Sequence, residues 1–163
     1  MKAKLSDKEI QHLYWRAGFG ITSPELKSIR KLSKAKIISG LFEKSKPFKK
    51  INIDLSALEN YSEIKTPEER RERRKLETKK LNELNFLWCN QLKTTEGVLR
   101  EKMALFFNNH FSVRIVNSRM LLHLNNIIRK NALGNFGDLL MEVSKSPAMI
   151  SFLNNQQNKK SSP

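Results

Sequence analysis

The chemistry-bearing side chains of this 163-residue chain are few: three histidines, one cysteine, and scattered acidic and basic groups. At about 100° per helical residue, His110 shares one arc with Leu99, Met103, Phe106 and Phe107. That spacing predicts a buried His110. It is then either a core histidine satisfied by its neighbours or a tuned acid/base facing a cleft. No Asp or Glu falls on the same face to orient the ring, which favours the core reading. If the chain does contribute to an enzyme, the candidate catalytic set is His110, flanked by Asn109, together with Arg16 and Arg100. His12 falls on a polar face beside Arg16, and His123 lies at the edge of an apolar stripe, so both are expected in solvent. The three histidines share no metal-ligand spacing; neither a metal nor a cofactor is expected. A single cysteine excludes an internal disulfide and every multi-cysteine framework. Cys89, next to Trp88 among apolar neighbours, is expected to be an inert buried thiol. Gly18-Phe19-Gly20 lacks the third glycine of a phosphate cradle and follows a helix rather than a strand, so it carries no nucleotide-binding signal.

Charge is the second candidate. Lys+Arg number 31 against Asp+Glu 16, a net +15, and most of the excess lies in the first 50 residues. Lys27, Arg30, Lys31 and Lys34 form a stripe that could meet the phosphates of a polyanion. No aromatic platform or groove-reading motif accompanies it, and the abundance of Lys, Asn and Ile, which share A/T-rich codons, accounts for much of the basicity. A solvated face is the favoured reading, with nucleic acid a secondary alternative.

The elements that position these residues are helical throughout. Ser6 with Glu9 forms a capping box before Ile10, Leu13, Tyr14 and Ala17. Gly18 to Gly20 should close that helix in the left-handed conformation, and Pro24 opens a second helix to about residue 32. Ser33 starts a third, carrying Ile37, Ile38, Leu41 and Phe42. Residues 45–65 lose the periodicity and are expected to be a surface insert. Thr66-Pro67-Glu68-Glu69 then starts a long, partly projecting helix over about 67–93. Its front is charged on all sides, with Arg73 and Glu77 four apart, whereas its back carries Leu81, Leu84, Leu87, Trp88 and Leu92. Thr94 or Thr95 is expected to cap a helix through Phe111, and further helices follow over 118–130, from Asn135, and from Ser146-Pro147. Residues 154–163 read as a polar tail. The fold class is all-α, an irregular multi-helix bundle of about seven or eight helices in one domain over residues 1–160. No apolar run approaches the roughly 18 residues of a membrane span, and the N-terminus lacks a signal-peptide stretch, which makes a cytoplasmic location the default expectation.

Three collinear stretches, HLYWRAGFGITSPEL (12–26), LREKMALFFNNHFSV (99–113) and IIRKNALGNFGDLLMEVSKSPAMISFLNNQQNKK (127–160), resemble the bacterial family called domain of unknown function 1800. The resemblance implies a helical fold and no established activity. It also implies a chain of several hundred residues, in which the segment matching Leu153 to Lys160 leads into an Asn-Glu-Asn run and a further helix. The expectation is therefore an N-terminal piece with a truncation point in the polar tail, whose main partner is the missing C-terminal portion. Where the family commonly has His-Asn-His-Phe, this chain has Asn108-Asn109-His110-Phe111, which removes one ligand of any two-histidine metal site. The resemblance also implies a gene that is often encoded beside one for a sulfatase-like exported protein. On this reading the chain is a non-catalytic helical module, which predicts an exposed apolar patch towards its C-terminal end. The alternatives are an enzyme completed by absent residues around His110, or weak polyanion binding through the N-terminal lysines.

Overall fold

Start signals decide where most of the described helices begin. A computed structural model describes residues 4–61 and 66–158; expectations for residues 62–65 of the insert and 159–163 of the tail lie outside the described residues. Ser6 and Glu9 form the reciprocal cap of α1 (Asp7–Ala17), the Glu9 carboxylate accepting from the Ser6 amide at 2.7 Å. Thr22 caps α2 (Ser23–Ile29), and Ser33 caps α3 (Lys34–Ser45). Thr66 and Glu69 box the start of α4 (Pro67–Thr94) around a proline in the first turn, where its missing N–H costs nothing. Then follow α5 (Val98–His110), α6 (Ser118–Asn131), α7 (Phe136–Ser144) and α8 (Pro147–Phe152), the last three capped by Asn117, Asn135 and Ser146. Short 3-10 turns cover Ser56–Tyr61 and Asn155–Gln157. The described residues are all-α, with eight α-helices and no strand.

Two local expectations are corrected. Neither Thr94 nor Thr95 starts α5: Thr95 closes α4, its hydroxyl accepts from the Gly97 amide at 3.0 Å, and Gly97 begins α5 without a side-chain cap. Gly18 is not left-handed; its φ is -157, and glycine is needed for closeness, since a Cβ there would sit 3.0 Å from Val98 Cγ2. The positive φ, 107, falls at Gly20.

Two apolar clusters result. Ile10, Tyr14, Ile37 and Leu41 join α1 to α3, with Val98 of α5 packed against them. Ala104, Leu124, Ile128, Ala132, Leu139, Val143 and Ala148 join α5 to α8. Helix α6 is the hub, contacting α4, α5, α7 and α8. Most of the described part of the 45–65 stretch is exposed, yet it buries Ile51 and Leu58. Asn126 of α6 holds it as a strand would, accepting from the Ile51 amide and donating to the Ile51 carbonyl, both at 2.9 Å.

Candidate functional site

The most deeply buried charges belong to residues that periodicity did not single out. Glu101, in the first turn of α5, and Arg129, near the end of α6, form a sealed pair with side chains 3% and 1% exposed. Arg129 donates to the carboxylate from Nη2 at 2.7 Å and from Nε at 3.0 and 3.2 Å, the two-pronged geometry that a planar guanidinium provides. Trp88 Nε1 of α4 adds a donor to Oε2 at 3.2 Å, and the Phe48 ring lies 5.5 Å from the Arg129 guanidinium. Burying two charges is costly unless each is matched; here every prong has a partner, so the pair fixes how α4, α5 and α6 meet.

Arg100, the neighbour of Glu101, is the catalytic candidate that proves central to the structure. Its Nε donates to the Ser45 carbonyl at 2.8 Å, its Nη2 to Lys46 at 3.1 Å, and its Nη1 to Arg129 and Lys130 at 2.9 and 2.7 Å. Those four carbonyls are the unpaired C-terminal groups of α3 and α6, so one guanidinium closes two helices. Partial burial, with the Arg129 charge nearby, lowers its affinity for the proton, and the Glu101 charge opposes that effect. Its donors are spent on backbone rather than aimed at a cleft. At the other end of α6, buried Glu77 of α4 accepts from the Ser118 amide at 2.7 Å. Helix α6 thus has a carboxylate at its positive end and a guanidinium at its negative end, the arrangement that its dipole favours.

The remaining candidates sit elsewhere. His110 is exposed, against expectation, its ring stacked 6.3 Å from Phe106 and edge-on to Phe111 at 4.8 Å. Asn109 beside it is exposed as well. The reason is a helix facing the unexpected way: α5 buries Glu101 and Ala104, roughly 150° around from the arc of Leu99, Phe106 and His110 at 100° per residue. Paired charge and a small alanine line its inner face, while Phe106 is 60% exposed. Arg16 is exposed on the last turn of α1, and Arg100 and His110 lie ten residues apart on α5, about 15 Å along its axis. The four candidates are not gathered at one place. Lys27, Lys31 and Lys34 are exposed, and Arg30 lies 3.7 Å from Asp7. Cys89 is exposed rather than buried. His12 and His123 stand in solvent. Among the described residues no group of three His, Cys, Asp or Glu side chains is placed to hold a metal ion, and no helix is long and apolar enough to cross a membrane.

Around Phe106 and His110 the aromatic residues continue. Phe107 and Phe111 approach Phe136 of α7 at 6.2 and 6.4 Å between ring centres, and Leu140, one turn after Phe136, extends the surface along α7. The result is an open aromatic face built from the end of α5 and the start of α7. Glu142, on the other side of α7, is held below the usual carboxylate range by a hydrogen bond from Asn131 and by Lys130.

No curated protein and no solved structure matches the chain. The family model described as "Protein of unknown function (DUF1800)" matches residues 12–163, from the middle of α1 through every later helix. With that match running through Arg100, the Glu101–Arg129 pair and the aromatic face alike, the chain belongs to the DUF1800 family.

Proposed function

We propose that the chain is a non-catalytic helical module whose outward aromatic face seats an amphipathic helix from further along the same polypeptide. The observation that carries this reading is the orientation of α5. Its sealed face carries Glu101, while Phe106, His110 and Phe136 remain at the surface, the last 52% exposed. Singly exposed apolar residues are ordinary, but a contiguous aromatic face marks a surface that another element covers. A helix of the same protein suits it, because the face is flanked by helices α5 and α7 and the family resemblance implies longer helical chains. The polar groups of the centre support the same reading, since Arg100 and Glu101 are already occupied in holding helices together.

The test uses the protein as its gene encodes it, with a photo-crosslinking benzophenone side chain at position 106. An adduct within one polypeptide, to residues outside 1–163, is expected; an adduct to a different polypeptide overturns the reading. The isolated 163-residue chain should also bind an environment-sensitive apolar dye, and F106S/F136S should lose most of that fluorescence while retaining the helical circular dichroism of the parent.

A further inference from the structure

The front of α4 carries a second surface that the aromatic face does not explain. Arg70, Arg73 and Arg74 line a groove of about 700 Å³ with Glu77, Thr78 and Val116, between α4 and the loop that joins α5 to α6. This volume lies in the range of small-molecule sites. The three guanidinium groups occupy positions i, i+3 and i+4, one side of a single helical turn, where like charges repel. The sequence offers Glu77 as a partner four residues after Arg73, but the structure turns it inward. Glu77 is 5% exposed, and its carboxylate accepts from the Ser118 amide at 2.7 Å. Among the described residues none of the three arginines makes an ion pair, whereas Lys75 and Lys80 on the same helix pair with Glu72 and Glu83. The carboxylate at the floor is committed to a helix terminus, and among the described residues no carboxylate pairs with the guanidinium groups at the mouth. Val116, 64% exposed, gives the opposite wall an apolar edge.

We infer that this groove is a binding site for a ligand bearing clustered phosphoryl-type oxyanions, held by Arg70, Arg73 and Arg74. Arginine forks match the oxygens of such groups two at a time, and an anion here removes the repulsion among three like charges in one turn. The Thr78 hydroxyl, which donates to the Arg74 carbonyl at 3.0 Å, keeps its oxygen available as an acceptor for a protonated or hydroxyl-bearing part of the ligand. The site is distinct from the N-terminal stripe of Lys27, Lys31 and Lys34, which is the natural reference for charge alone.

Inorganic pyrophosphate is the probe, titrated against the 163-residue chain by calorimetry and by thermal melting, with sodium chloride at matched ionic strength as the reference. Pyrophosphate should raise the melting temperature beyond chloride, because a ligand that binds only the folded state stabilises it. R70A/R74A should weaken pyrophosphate by about tenfold or more, the loss expected for charge-assisted hydrogen bonds. R74K keeps the charge but not the fork and should fall between the two, and K27A/K31A should bind as the parent does. Equal melting shifts in chloride and pyrophosphate, undiminished binding by R70A/R74A, or an equal loss in K27A/K31A would each overturn the site. A single-stranded oligonucleotide added as competitor separates two sources of the same chemistry: displacement of pyrophosphate assigns the oxyanions to a nucleic-acid backbone, and no displacement assigns them to a small phosphorylated molecule.

Discussion

Arg129 has almost no contact with solvent, yet its guanidinium leaves no charge unmatched: Glu101 takes three of its contacts and Phe48 covers one face. Such a pair adds little stability compared with apolar residues of the same shape, but losing half of it is expensive. R129M is therefore expected to destabilise the protein by about 3–5 kcal/mol, leaving Glu101 charged and buried, and R129M/E101L to recover most of that loss. Urea midpoints of the parent, single and double variants check this; a double variant no better than R129M refutes it. Periodicity could not point to this pair. An apolar-arc argument assumes that the inner face of a helix is its greasy face, and α5 breaks the assumption. Its fully buried positions are Glu101 and Ala104, whereas Leu99, Met103 and Phe107 of its apolar arc are half-buried and Phe106 and His110 are exposed. His110 was misplaced for the same reason. No local sign marked the pair, since Glu101 lies between Arg100 and Lys102 and Arg129 lies beside Lys130, and their contact across 28 residues of sequence is a tertiary fact.

At the scale of elements, caps were the readable part. Ser6, Ser33, Thr66, Asn135 and Ser146 each accept the amide bonds expected of them, because a cap is a local contest between side chain and backbone that needs no partner from elsewhere in the chain. The 45–65 stretch was harder, since its order comes from Asn126 of α6, 75 positions from Ile51. In place of a neighbouring strand, one side-chain amide satisfies both backbone groups of Ile51. N126A should cost about 1–3 kcal/mol, the penalty for stranding polar groups that are partly withdrawn from water. It should also speed proteolytic cleavage between Pro47 and Tyr61 before cleavage elsewhere, as limited digestion with mass spectrometry would record. Cleavage at an unchanged rate would mean that Ile51 and Leu58 are anchored by burial alone.

Across the whole molecule, the two apolar clusters share few side chains, and Val98 is the principal one that α5 lends to the N-terminal group. Arg100 closes the remaining distance by bonding carbonyls of α3 on one side and α6 on the other. R100M keeps much of the side-chain bulk and removes all four bonds. It is expected to divide one unfolding transition into two, with amides of α1 to α3 exchanging hydrogen faster than those of α6 to α7. A single transition with uniform exchange would show that packing at Val98 suffices to couple the halves.

The charge with which the sequence presents itself also has a colloidal meaning. Exposed aromatic surface on α5 and α7 favours association between copies of a chain, and a net charge of +15 opposes it. That repulsion acts over about 8 Å at physiological salt and shrinks as salt rises. The basic surface thus acts as a spacer for an exposed aromatic face, and the salt concentration of its surroundings sets how well it does so.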